Sequence, residues 1–443
     1  MLLRKYIPIF LLIAAGFTAN AQTDTTTTIY NLQKCLSIAI QNNLTVQQDA
    51  VTAERARIAL AQAKDNMIPT ISGGVDRDYT TGRTINPLTN TYVNQSVTYD
   101  NYNLGGTVTI FSGLAYQNAI KQASLSYQSG KMAFQAAKDI VTVNVITSYL
   151  QVLDAQAQFD QSKSALAVAK EQDDRGELLE KEGDNTTAST IYDLRGSYQS
   201  ANVNYVTSQN NVSTAMLNLF QVMNIPYNQN ASLQPLNADD LRGDKDVKPE
   251  DVYEAALSGL AQIKSATLMR QSAEKEVKYY RGLLLPSIVS QYGISTNYTN
   301  SNPSSYSDQF RNNYGTYIQL GLNIPIFTNG IKKNALANAK LDLLNDQYVE
   351  INTKVVIRQN VEQAYNNMIS AYNRYQALDA ESKAYSESFR ISKLRFEAGV
   401  LNSVDYITAK NNMDGANLAL ISAQYDYFIY SEVLDYYQGK LSF

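Results

Sequence analysis

Two runs of 72 positions, Phe111 to Gly183 and Phe327 to Gly399, contain no proline, and each follows a similar octet: LGGTVTIF (Leu104–Phe111) and LGLNIPIF (Leu320–Phe327). Proline ends a helix because it lacks an N–H and clashes with the preceding turn, so these runs can each continue as one helix. Val361, Ala364, Tyr365, Met368, Tyr372 and Tyr375 keep the three-and-four spacing of a helical stripe. At about 1.5 Å per residue such a helix reaches roughly 100 Å, far beyond the globular norm. Its apolar stripe requires lateral partners. Gly183 and Gly399 then mark sharp turns, with Thr187 and Ser403 as expected N-caps of returning helices.

The octet is one of three duplicated landmarks. MIPTISGGV (Met67–Val75) aligns with LLPSIVSQY (Leu284–Tyr292), placing Pro69 on Pro286, 217 positions apart. EGDNTTASTI (Glu182–Ile191) aligns with AGVLNSVDYI (Ala398–Ile407), placing Gly183 on Gly399 at an offset of 216. The chain therefore divides into a leader at 1–21, a first repeat at 22–222, a polar linker at 223–247, a second repeat at 248–437 and a tail at 438–443. The repeats carry strand pairs at about 70–111 and 287–327 and long hairpins turning near 183 and 399.

Around each octet the period changes from helical to two. Ile318, Leu320, Leu322 and Ile324 share one face, and Tyr317, Gln319, Gly321 and Asn323 the other. Leu104, Val108 and Ile110 likewise oppose Asn103, Gly105, Thr107 and Thr109. This is the signature of strands with one apolar and one polar face. The first strand, Ile71 to Tyr79, is weaker, since Asp76 and Asp78 share a face and Arg77 sits on the other. Thr81–Tyr102 and Asn297–Tyr314, rich in Asn, Ser, Thr and Tyr, read as long solvent-facing loops.

Arg4 and Lys5, the apolar run Ile7–Phe17 and the small-x-small triplet Ala19-Asn20-Ala21 form an export signal, with cleavage expected after Ala21. No later apolar run approaches the 20 or so residues of a membrane-crossing helix. The chain has no His and one Cys, Cys35. That removes His-based catalysis, His-based metal sites and an internal disulfide. A formal net charge of −4 without a basic stripe argues against nucleic acid. No cofactor, metal or catalytic constellation is indicated, and the chain is not expected to be an enzyme. The acidic pairs Asp173–Asp174 and Asp239–Asp240 read as solvated surface.

Four amphipathic strands cannot close a barrel, which needs about eight. The open readings are a soluble two-sheet protein with a helical stalk, or strands pooled from several subunits in an outer membrane. LLLPSIVSQYGI, GLNIPIFTNG and FEAGVLNSVDYITAKN, with weaker copies in the first repeat, resemble the TolC family of outer-membrane efflux channels over nearly the whole mature chain. The resemblance implies an α+β membrane protein. Two repeats supply four transmembrane strands to a trimeric 12-stranded barrel, and long helices continue it as a periplasmic coiled-coil tube.

The resemblance further implies a homotrimer in outer-membrane lipid. It would work with a periplasmic adaptor and an inner-membrane pump as a passive exit duct for small toxic compounds. The hairpin tips Gly183, Asp184, Asn185, Gly399, Val400 and Asn402 would dock the partner, although the glycines also read simply as positions needing positive φ. Near the tips the family carries charged rings. One family aspartate falls on Asp405, a second on Thr408, an arginine on Leu401, and the first-repeat aspartate on Ser189. An arginine–aspartate latch is thus not expected. Asp405 reads equally as a carboxylate favoured in a helix's first turn. Ile318, Leu320, Leu322 and Ile324 are the expected lipid face, and Phe111 and Phe327 are expected to pack at the strand-to-helix junctions. The alternatives are a duct for type I protein secretion and, in another class, a soluble periplasmic coiled-coil scaffold.

Overall fold

The computed structural model describes residues 28–85, 89–181, 188–236 and 247–440. The export signal, Gly183, Asp184, Asn185, Thr187 and Asp239–Asp240 lie outside the described residues. The first half runs β1 (Thr28–Tyr30), α1 (Leu32–Asn42), α2 (Leu44–Asp65), β2 (Thr70–Ile85), β3 (Tyr92–Phe111), α3 (Ala115–Lys181) and α4 (Ala188–Val222). After β4 (Ala231–Leu233) follow α5 (Pro249–Gly259), α6 (Ala261–Gly282), β5 (Ser287–Thr299), α7 (Tyr306–Asn312), β6 (Gly315–Asn323), α8 (Ile331–Glu397) and α9 (Ser403–Tyr437).

The duplication is visible in element lengths. α1 and α5 have 11 residues each, α2 and α6 have 22, and α3 and α8 have 67. At about 1.5 Å per residue the two long helices each extend roughly 100 Å. Local chemistry sets the boundaries. Asn31 and Asn43 cap α1 and α2, accepting from the N–H groups of Lys34 (2.8 Å) and Val46 (3.1 Å). Pro249 opens α5 at a position where its missing N–H costs nothing. Pro69 and Pro286 separate helix from strand at equivalent places, after Asp65 and Gly282.

α3 is the spine of the first hairpin. It packs along α2, α6, α4 and α9, while α8 packs along α9, α6 and α5. The main core is a belt partway along the bundle, where α1 and α5 wrap the long helices. Val145, Tyr149, Leu150, Leu219, Phe220, Val252, Val361 and Met368 are all buried there. The belt also takes in the linker between the repeats, which is not a bare polar loop. Its β4 pairs in parallel with β1, and the Tyr149 hydroxyl donates to the Gln234 carbonyl at 2.5 Å. Half-buried beside the long helix, β4 thus finds partners for its backbone groups. Cys35 is buried in the same belt, and burial pushes its thiol up to about 11.

The sheet has the order β2-β3-β5-β6, antiparallel throughout, so β2 and β6 are free edges of opposite direction. Two sequence expectations need correction. Thr81–Tyr102 is mostly strand: β2 continues to Ile85 and β3 starts at Tyr92, making one long hairpin. Its Thr, Tyr and Val are good strand formers, and polarity on both faces disguised the alternation. Asn297–Tyr314 is likewise no open loop, because β5 reaches Thr299 and the rest folds into α7. In the other direction, β6 ends at Asn323, so Ile324 lies just beyond the strand and Pro325-Ile326-Phe327 is irregular. Pro325 has no N–H to give the ladder.

Candidate functional site

The register settles which side chains share a face of the sheet. Ile71, Gly106, Tyr292 and Ile318 form one transverse row, and Gly73, Leu104, Ile294 and Thr316 the next. Val108, Ser290 and Leu320 follow, then Ile288 and Leu322. This face is apolar and open: Ile318 is 84% exposed, with Leu320 and Leu322 also exposed. The opposite face carries Thr70, Thr107, Gln291 and Gln319 in one row and Ser72, Gly105, Gly293 and Tyr317 in another. Gly293 leaves room for the Tyr317 ring, which a Cβ there would meet at 2.7 Å and displace. A four-stranded sheet with one polar face and one exposed apolar face has no stable place in water. Phe111 and Phe327 stand at the strand-to-helix junctions, but both are exposed, Phe327 at 82%. Within one chain they do not pack as expected.

At the far end of the molecule, the α8–α9 turn is built by a glycine. Gly399 has φ of +73°, the left-handed conformation that lets a helix close its last carbonyls. The Gly399 N–H donates to the Phe396 carbonyl (3.0 Å) and the Val400 N–H to the Arg395 carbonyl (2.9 Å). Asn402, not Ser403, caps α9: its side-chain oxygen accepts from the Asp405 N–H at 2.8 Å, and its amide donates to the Asp405 carboxylate at 2.9 Å. Asp405 is therefore an exposed first-turn carboxylate held in a reciprocal cap. Val400 and Thr408 are exposed with it, and Leu401 is half-buried. Ser189 is exposed in the first turn of α4, on the neighbouring hairpin.

Ser403 does something the sequence did not disclose. Its buried hydroxyl donates to the Asp193 carboxylate on α4 at 3.1 Å, tying the two hairpins together near their tips. Next to it Tyr406, 1% exposed, stacks on Phe396 with ring centroids 4.5 Å apart. Burial pushes the Tyr406 hydroxyl up to about 12, and the carboxylates of Glu397, Glu171 and Asp414 add to the effect. One turn on, Lys410 is buried and donates to Asp414 at 2.6 Å. Asp173, expected on the surface, is buried on α3 with one carboxylate oxygen lacking a hydrogen bond and Arg195 at 3.9 Å. Asp174 beside it is exposed.

These residues form a polar seam between the hairpins, joining α3, α4 and α9. One signal for it was present in the sequence. Lys410 sits four residues after Tyr406 on the buried stripe of α9, where a lysine needs a partner. Asp193 carried no comparable signal.

No helix of the described residues is long and apolar enough to cross a membrane. The family profile "Outer membrane efflux protein" matches residues 252–439, which is nearly the whole second repeat. Outer membrane protein TolC of Salmonella enteritidis is 22% identical, aligned over 100% of this chain and 87% of its own length. TolC of Escherichia coli K12 is 21% identical over 96% and 85%. Among solved structures, CusC superposes with a TM-score of 0.78 at 16% identity, covering 92% of this chain and 91% of CusC. The CmeC outer membrane channel of Campylobacter jejuni gives 0.77 at 18% identity, covering 92% and 86%. A duplicated helix–strand–strand–hairpin chain, with a sheet that exposes one apolar and one polar face and 67-residue helices beneath it, shares the fold of these channels over most of its length. The second repeat matches the outer membrane efflux protein family and the whole chain resembles TolC, which places it in the outer membrane with its helical hairpins extending into the periplasm.

Proposed function

We propose that three copies of this chain close one barrel of twelve strands. In that assembly they form a passive duct through which an inner-membrane pump, coupled by a periplasmic adaptor, expels small toxic compounds. The observation that carries this reading is the open sheet. β6 descends and β2 ascends, so the β6 edge of one copy pairs antiparallel with the β2 edge of the next. Head-to-tail pairing of this kind closes into a ring. In it Ile318, Leu320 and Leu322 meet lipid, with Ile324 just below, and the Gln, Ser, Gly and Asn face lines water. The helical layer supports the same arrangement. Tyr348, Ile351 and Val355 of α8 and Val51 and Ile58 of α2 are exposed on helices at opposite ends of the α2-α3-α6-α8 series.

In this assembly the hairpin tips converge on the threefold axis. Asp405 faces the throat in three copies, with Thr408, Leu401 and Ser189 around it, and the clustered charge favours cations. Without an arginine at Leu401, closure rests on contacts such as Ser403–Asp193. Gly399, Val400 and Asn402, with Gly183, Asp184 and Asn185 of the other tip, meet the adaptor. A soluble periplasmic scaffold leaves the exposed apolar face of the sheet without purpose.

Cysteine pairs test the closure. In a Cys35→Ser background, one cysteine goes on β2 (Val75 or Tyr79) and one on β6 (Ile318 or Leu320). Oxidation in membranes is expected to yield a species of three linked chains for at least one register. Absence of any interchain link across the set would overturn head-to-tail closure.

A further inference from the structure

The segment between β5 and β6 does not project into solvent. Gln309, 2% exposed, fastens α7 to the sheet rim: its amide nitrogen donates to the carbonyls of Thr299 (3.0 Å) and Ser304 (2.9 Å), and its oxygen accepts from the Thr299 N–H (3.0 Å). The Thr296 hydroxyl donates to the Phe310 carbonyl at 2.7 Å. Thr296 shares the apolar face with Ile294 and Tyr292 two and four residues back, so α7 lies on the outward side of the sheet. Rings complete the attachment. Tyr306 packs on Tyr298 with centroids 4.7 Å apart, Phe310 packs edge-on to Tyr102 at 5.4 Å, and the Tyr102 and Tyr306 hydroxyls bond to each other. Tyr306, Phe310 and Tyr314 remain exposed.

Level with Tyr298 sits an ion pair on the same face. Asp100 is 1% exposed and accepts twice from Arg77 at 2.6 Å, while the Arg77 side chain is largely open. Below that row the outward face is apolar from Val75 and Leu104 down to Leu322. From Ile288 to Thr296 is eight residues, about 27 Å along the strand, or roughly 20 Å of height at a tilt near 40°. The apolar band of an outer-membrane barrel is about 25 Å tall. The aromatic cluster and the exposed guanidiniums of Arg77 and Arg311 thus fall at its upper edge, where amphipathic rings and cations meet headgroups.

We infer that α7 is a membrane-surface segment that lies in the headgroup–acyl boundary of the outer leaflet and fixes how high the barrel stands in the bilayer. This rests on the reading of the Ile318–Leu322 face as lipid-facing, and the test separates the two. The chain contains no tryptophan. Phe310→Trp and Tyr314→Trp each supply a single reporter on or beside α7, and Ile318→Trp supplies one at mid-band. Each variant is reconstituted as the full chain in phosphatidylcholine vesicles. The lipid is brominated near the glycerol end or near the methyl end of its acyl chains, and aqueous iodide is the third quencher. The α7 reporters are expected to lose most emission to shallow bromine, little to deep bromine, and less to iodide than free tryptophan does. Ile318→Trp is expected to lose most to deep bromine. If the α7 reporters respond to iodide like free tryptophan and to neither bromine, while Ile318→Trp still reports deep lipid, α7 stands in water and the inference fails. If Ile318→Trp also ignores both bromines, the lipid-facing reading fails and the inference with it.

Discussion

An arginine walked along β6 reads both the face and the depth of the sheet. Ile318 lies in the row with Ile71, Gly106 and Tyr292, midway between the α7 rim and the Leu322 row. Its neighbour Gln319 points to the polar face. An arginine on the lipid face of a barrel costs about 2–4 kcal/mol at the bilayer midplane and about 0–1 near the interfaces. Ile318→Arg is therefore expected to destabilise the inserted protein by about 2–4 kcal/mol per chain, and Leu322→Arg, near the periplasmic edge, by about 0–1 kcal/mol. Gln319→Arg, in the lumen, is expected to be near neutral. At about 1.4 kcal/mol per tenfold, the Ile318 variant shifts the folding equilibrium by roughly 30- to 1000-fold per chain. The assay is denaturant unfolding in vesicles, read alongside the fraction of assembled oligomer extracted from membranes. Gln319→Arg as damaging as Ile318→Arg, or Leu322→Arg more damaging than Ile318→Arg, would overturn the assigned face and depth.

Other expectations concern the hairpins. Asp405→Asn keeps an acceptor for the Asn402 amide but removes the charge, so block by multivalent cations at the periplasmic mouth should weaken while helix content stays unchanged. Unchanged block would leave Asp405 as a cap residue only. Asp193→Ala and Ser403→Ala break the same tie, so each should raise single-channel conductance and the double variant should add little to either; additive effects would show that the pair does not act as a unit. Burial pushes the Glu432 carboxyl up to about 7, with nearby Asp435 adding to it. The folded state then holds a proton that the unfolded state has released, so stability should fall as pH rises from about 4.5 to about 7 and level off above. Glu432→Gln should flatten that part of the stability curve, and an unaltered slope would assign the dependence to other groups.

The parts of the fold legible in the sequence were those with a period. Ile318, Leu320 and Leu322 alternate with Gln319, Gly321 and Asn323, and the pairing partners of β5 place them as the alternation did. The proline-free runs became the 67-residue helices once past the positive-φ glycines Gly113 and Gly330. Composition misled where polar residues do two jobs. Thr, Asn, Ser and Tyr suit a loop, but they also suit a strand with both faces in water, as in the outer part of β2 and β3. The cap of α9 was misplaced by one residue because Asn402 and Ser403 are both good caps, and the turn geometry after Gly399 decided between them. The Ser403–Asp193 tie spans 210 positions and depends on how two hairpins lie against each other, which no local pattern encodes.

The proposed duct conducts as an oligomer. Detergent-extracted protein, its subunit number fixed by light scattering, would be placed in a planar bilayer and its conductance recorded. A trimer with steady, discrete conductance steps that are sensitive to the Asp193 and Ser403 substitutions is expected. A species that leaves the membrane without detergent, or a trimer that carries no current in wild-type and tie-breaking variants alike, would contradict it.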